Sequence, residues 1–209
     1  MRLAEILLAW LGYFVLHSLL AASAVKEWIA RCWPQFAPGY RIVFDVLAVL
    51  TLLPILWLVR DTQSTWLWQW RGAWAWVADV FALLALLCFF ASLRAYDMGE
   101  FFGLRQLQRG DCDVPVIFTV SPLHRFVRHP WYCIGLVLIW TRDMNEPFLI
   151  SALAITSYLF IGSKLEDKKL VESYGETYRR YMAAVPGLIP LPWKYLSATE
   201  ATALLTRPR

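Results

Sequence analysis

Three stretches of this chain, residues 3–25, 42–59 and 73–93, stay apolar for close to the ~20 residues a helix needs to cross a bilayer. A fourth apolar tract runs over residues 131–162. Few folds are open to such a chain. In hydrocarbon every backbone amide must be satisfied by protein, which leaves helices and closed barrels. Long apolar runs without period-two alternation are helices. Only 17% of the 209 residues are charged and 59% are hydrophobic, against about 25% charged in a soluble domain. The twelve tryptophans suit a protein with two lipid–water boundaries. The expected fold is all-α: a polytopic membrane protein of about five transmembrane helices, the last two forming a short hairpin, with further helices on the cytoplasmic side.

The N-terminal run follows Arg2 and has no small-x-small cleavage site after a short core. It is expected to be retained as span one rather than removed as a signal peptide. Pro54 falls inside span two and predicts a kink. The tract at 131–162 is interrupted by "TRDMNE" at 141–146, the tight polar turn of a helical hairpin, spans four and five. Sixteen of the twenty Lys and Arg fall in the loop after span one, the long loop before span four, or the tail; Arg2, Arg60, Arg71 and Arg142 take the other side. The excess of cations on the cytoplasmic side of membrane proteins then places the N-terminus outside and the C-terminus in the cytoplasm, across a bacterial inner membrane. Cations gathered at membrane ends serve lipid headgroups and topology better than nucleic acid. Cys32, Cys88, Cys112 and Cys133 form no C-x-x-C pair, so neither a zinc site nor a thioredoxin-like motif is indicated. Residues 1–196 read as one integral-membrane domain, and "SATEATALLTRPR" from 197 onward is expected to fray.

Span four begins abruptly, in "HRFVRHPWYCIGLVLIW". Its ten apolar residues at 131–140 make about 15 Å of helix, half a bilayer. Its basic start therefore lies in the headgroup zone or in a recess lined by protein. Pro130 suits the first helical position, which makes His129 the cap and leaves Arg128 just outside. A helix N-terminus prefers anions, so Arg125, Arg128 and His129 oppose it and helix stability does not explain them. Two readings stand: an anion-binding corner, or cations facing lipid phosphates.

Other polar residues are candidates beside this one. Glu166 lies a turn past span five and needs a partner, either Lys169 three residues on or a ligand. Tyr174, Tyr178 and Tyr181 share one helical face or form an interfacial aromatic belt. Gly175 can end one helix and let another start at Glu176. The segment "VPGLIPLPW" is not helical. His17 and Asp45 lie within spans, where an ionisable residue is a functional hypothesis by default; a neutral histidine bonded to a neighbouring helix is the alternative. Asp97, Glu100 and Arg105 are possible partners in one network, and Gly103 in "FFGLRQ" suits close backbone approach.

Taken in order, "RHPWY", an apolar hairpin and "LEDKKLVESYGETYRRYMAAVPGLIP" resemble the C-terminal half of the isoprenylcysteine carboxyl methyltransferase superfamily. That superfamily also includes phospholipid methyltransferases, a methanethiol methyltransferase and denitrification-linked proteins. The resemblance covers about residues 121–190. The N-terminal half, with "LHSLLAAS" and "YRIVFDVLAVL", looks more like the denitrification-linked and methanethiol branches. The resemblance implies an integral-membrane methyltransferase dependent on S-adenosyl-L-methionine. Its motifs imply that His129, Tyr132 and Gly135 line the cofactor, that Glu166 holds a polar group of it, and that Tyr178 and Tyr181 help close a lid. Asp167 stands where the family commonly has a second glutamate, and it is left out of the expected contacts.

The chemistry agrees with this. The cationic entrance, Arg125 included, suits the cofactor's carboxylate; tyrosine faces suit its sulfonium. Methyl transfer is an in-line displacement, so alignment and water exclusion can supply most of the catalysis. The acceptor is a small or lipid-like molecule: a thiol, a carboxylate or an amine. A thiol must lose its proton, and His17, Asp97 and Arg128 are the candidates to assist. The competing reading is a non-catalytic membrane subunit or small-solute carrier on the same scaffold. Haem or metal binding through His17, His124 and His129 is the weakest reading, because the spacing is not that of a ligand set.

Overall fold

The structure, a computed structural model, describes residues 2–110 and 118–206. Cys112 and the last three residues of the tail lie outside them. Nine α-helices are found among the described residues: α1 (Arg2–Ala21), α2 (Ser23–Cys32), α3 (Tyr40–Asp61), α4 (Ala73–Leu93), α5 (Met98–Phe101), α6 (Leu104–Arg109), α7 (Pro130–Trp140), α8 (Glu146–Ala184) and α9 (Ala198–Thr206). Among the described residues the one strand ladder is antiparallel: β1 (Trp66–Trp68) sets Trp66 against Asn145 and Trp68 against Met144 of β2 (Met144–Asn145).

The protein is all-α and polytopic. α1, α3, α4 and α8 are each long and apolar enough to cross a membrane, and the short apolar α7 is the fifth segment. In the apolar windows of the four long helices only 6% to 22% of residues are buried within the protein, so what covers them must be lipid. α7 begins at Pro130 with His129 as its cap, as the proline predicts.

The described residues group into two compact bodies. The first contains α1–α3, the ladder, α5, α6 and the opening turns of α8. On α1, Ile6, Trp10 and Phe14 are buried at a four-residue spacing, one face of a helix. The Trp10 indole donates to Ser151 Oγ at 2.8 Å. Asp97 caps α5, accepting from the amides of Gly99 and Glu100. Gly103 has φ of 80°, and a Cβ there would sit 2.7 Å from Cβ of Arg41. The close approach expected at this glycine is thus to the start of α3.

The second body contains α4, α7, the rest of α8 and α9. α4 buries Ala78, Ala82, Ala85 and Ser92, small residues that let α7 pack closely. The Trp131 indole donates to Ser92 Oγ at 2.8 Å. α8 breaks at Gly175, where φ is 57° and ψ −130°, a conformation essentially confined to glycine. The break turns the segment carrying Tyr178 and Tyr181 into a core with Val185, Leu196 and Ala201. Past Ser197, where the sequence predicts fraying, the chain forms α9, and Ala201 is buried in that core.

Candidate functional site

The site is assembled where the basic approach to α7 meets the polar half of α8. The amide of Arg128 donates to the Pro186 carbonyl at 2.8 Å, and that of His129 to Gly187 at 3.1 Å. The non-helical "VPG" segment therefore serves as backbone partner for the two residues that precede α7. Both side chains point inward and are buried.

They converge on Asp167, itself buried. Asp167 Oδ1 accepts from Arg128 Nε at 3.1 Å, and Oδ2 from Nη2 at 2.7 Å, a two-pronged pairing that suits the planar guanidinium. Tyr178 donates its hydroxyl to Oδ1 at 2.7 Å, and His129 Nε2 lies 3.0 Å from the same oxygen. Arg128 Nη1 also donates to the carbonyls of Met182 and Val185. Its charge is thus neutralised inside the protein. This corrects the expectation of an open cationic corner: Arg128 is committed to Asp167. Arg125 is committed too, its Nε donating to the Leu196 carbonyl at 2.9 Å with the guanidinium over the Phe126 ring.

Glu166, the neighbour of Asp167, is the half-exposed carboxylate of the group. Its side chain is 47% accessible while that of Asp167 is 5%. Glu166 Oε2 lies 3.3 Å from His129 Nδ1, so the imidazole is clamped between two carboxylates. Tyr132 hydrogen-bonds Glu166, and its ring stacks on His129 at 5.4 Å between centroids. Glu166 takes His129 as partner in place of the local Lys169. Burial alone would push the His129 pKa down; the bonds to Asp167 and then Glu166 outweigh it and raise it to about 8. His129 is therefore a cation at neutral pH.

His124 behaves oppositely. Burial, then the positive charge of His129, lower its pKa, against a smaller opposing pull from Glu166. Its Nδ1 lies 2.7 Å from Ser121 Oγ, and its carbonyl accepts from Tyr181 at 2.6 Å. An open hollow of about 720 Å³ borders Asp167, rimmed by Lys164, Lys168 and Arg179.

Of the residues singled out in the sequence, Arg125, Arg128, His129, Tyr132, Gly135, Glu166, Tyr178 and Tyr181 all fall in the second body. Gly135 leaves open space, with nothing within 4 Å of where a Cβ would stand. Tyr178 and Tyr181 are core residues rather than a belt at the interface. His17 and Asp97 belong to the first body. His17 packs between Tyr13 and Phe44. The carboxylate of Asp97 is occupied by two amides and by Arg105 Nη2 at 2.6 Å. Asp167, which the motif reading named but left out of the contacts, is the centre of the group. Its signal was present: a second carboxylate directly after Glu166, one turn beyond an apolar run, needs a buried partner as much as the first.

A family model described as NnrU protein matches residues 5–142, more than half of the chain. The chain belongs to the NnrU family. The match takes in the N-terminal half, where the resemblance read from motifs was looser. Curated relatives of this NnrU-family protein include methanethiol S-methyltransferase 2 of Bradyrhizobium diazoefficiens, 34% identical over 184 residues that cover 85% of this chain and 69% of the relative. The methanethiol S-methyltransferase of Mycobacterium tuberculosis is 32% identical over 197 residues, covering 90% of this chain and 78% of the relative. Nurim of Rattus norvegicus is 26% identical over 184 residues, covering 78% and 68%. The chain spans 63% to 78% of the length of the methanethiol S-methyltransferases it matches. No solved structure matches it. Kinship with these enzymes places the NnrU-family chain among the membrane methyltransferases.

Proposed function

We propose that the protein methylates a small thiol with S-adenosyl-L-methionine as donor, at the cluster where α7 begins. The observation that carries this reading is the clamp on His129: Asp167 at 3.0 Å on one ring nitrogen and the half-exposed Glu166 at 3.3 Å on the other. The donor set fits such a molecule. Glu166 supplies a carboxylate for the ammonium or ribose hydroxyls, and Tyr132, hydrogen-bonded to it, an aromatic face for the sulfonium. When bound, S-adenosyl-L-methionine supplies a methyl group on a sulfonium; a thiolate displaces it in line, so that a sulfur–carbon bond forms as the sulfonium–carbon bond breaks, leaving a thioether and S-adenosylhomocysteine.

The chain's own residues bind, orient and move a proton. Arg128, Asp167 and Tyr178 are positioning residues: mostly buried themselves, they hold His129 and the first turn of α7. His129 is already charged and cannot take the proton of a thiol. His124 is the neutral imidazole beside the cluster and takes the thiol's proton in this reading, although burial and the neighbouring cation weaken it as a base. The cationic balance of the loops supports a cytoplasmic C-terminus in an inner membrane.

Calorimetry on detergent-purified protein tests the reading. S-adenosyl-L-methionine should bind with micromolar-range affinity, and Glu166→Gln should weaken it by roughly tenfold or more, the worth of one charge-assisted bond. Incubation with methanethiol and radiolabelled donor should yield a volatile labelled thioether. A folded protein that binds no donor overturns the proposal and favours a carrier.

A further inference from the structure

A second cavity, of about 460 Å³, lies wholly within the first body, at the junction of α1, α2 and the start of α3. Its walls are mostly apolar, with Phe44 and Tyr40 the larger side chains, but Lys26, Glu27, Arg41 and Gln106 also line it, two cations against one carboxylate. Two polar atoms of this lining are left unmatched. Arg41 Nε and Gln106 Oε1 are buried with no hydrogen-bond partner among the described residues. The carboxylate paired with Arg41 is that of Asp45, 3.9 Å from Nε, beyond hydrogen-bond range. Buried donors and acceptors are nearly always satisfied. Two of them lining one cavity, a cationic donor and a neutral acceptor, describe the ligand that would satisfy both: an anionic oxygen for Arg41 and a hydroxyl for Gln106.

The surroundings say where that ligand comes from. α2 has no buried residue; Trp28 on it, and Trp33 and Phe36 just after it, are each about half exposed or more. A helix flanked by exposed aromatics lies in the plane of the headgroups. Phosphates in that plane suit Arg41 and Lys26 of the cavity lining, and the guanidinium fork matches phosphate oxygens. We infer that the cavity between α1, α2 and α3 binds the headgroup of an anionic glycerophospholipid, its phosphodiester on Arg41 and Lys26 and a headgroup hydroxyl on Gln106.

Native mass spectrometry of the full chain in detergent, titrated with dioleoylphosphatidylglycerol, tests this. Arg41→Gln keeps the Cβ and Cγ that pack on Gly103, and should weaken the lipid adduct by roughly tenfold to a hundredfold, as expected for loss of a charge-assisted bond. Gln106→Leu, the second variant should the first fail to fold, should bring phosphatidylglycerol toward the affinity of dioleoylphosphatidylcholine, which has no headgroup hydroxyl. Binding of soluble glycerol 3-phosphate with no lipid adduct keeps the anion site and makes its source a free solute. Phosphatidylglycerol binding that is unchanged in both variants, or no stronger than that of phosphatidylcholine, overturns the inference.

Discussion

Asp167→Asn removes one negative charge and almost no volume, so it isolates what the buried pair contributes. In the wild type the carboxylate meets four polar atoms between 2.7 and 3.1 Å away: Arg128 Nε and Nη2, the Tyr178 hydroxyl and His129 Nε2. An amide keeps one acceptor oxygen and turns an NH2 group toward a donor. Facing Arg128 Nη2 at 2.7 Å, either orientation leaves one donor unmatched. The guanidinium, only 7% accessible at its side chain, is left without a counter-charge. Breaking a buried pair from one side costs about 3–5 kcal/mol. For a chain of this length that corresponds to a melting temperature lower by roughly 6–20 °C. Tryptophan-fluorescence melts in detergent measure it, with Glu166→Gln as the control. That substitution removes an equal charge from a half-exposed position and should cost no more than about 1 kcal/mol. Replacing the whole group by apolar residues, Arg128→Met with His129→Leu, Asp167→Leu and Tyr178→Phe, should recover most of the loss, because no buried charge then remains. If Asp167→Asn melts within about 2 °C of wild type, Asp167 is not the hub described here.

The pH profile of stability follows from His129. Its pKa is raised on folding from 6.5 to about 8, so the protonated imidazole stabilises the fold. That contribution is complete below pH 6.5 and is lost as pH climbs through 8, at most about 2 kcal/mol; melts at pH 6 and pH 9 should differ in this direction, and His129→Gln should flatten the profile. Gly175→Ala places a Cβ at φ of 57° and ψ of −130° with nothing near it to clash, so its cost is backbone strain alone, about 1–3 kcal/mol, read from the same melts. His124→Ala should slow thiol methylation by roughly a hundredfold or more while leaving donor affinity unchanged, a split that calorimetry and turnover with labelled donor resolve. Equal losses in binding and turnover would instead make His124 a structural residue.

Much of the fold was legible because the bilayer simplifies it. Apolar length alone marked α1, α3, α4 and the opening of α8, and Pro130 marked the first turn of α7 to the residue. Gly175 and Gly103 were also readable, since each stands where polar and apolar patterns break and a side chain would be strained or crowded. The polar site was legible in its membership but not in its electrostatics. A cation before an apolar helix is written identically whether it receives a ligand or a carboxylate 39 residues away, and pairing over that distance is set by how α8 returns past α7. The sequence reading therefore found Arg128, His129 and Glu166, yet turned Arg128 toward cofactor and substrate and left Asp167 out of the contacts. With Arg128 neutralised from within, the outward chemistry shifts to the members that keep accessible surface or a movable proton. Glu166 is half exposed, and His124 is neutral beside a fixed cation. In the proposed reaction Glu166 is the acceptor and His124 the base, next to an Arg128–Asp167 pair whose charges already cancel inside the protein, so that little charge would need to be rearranged to align a methyl donor and a thiol.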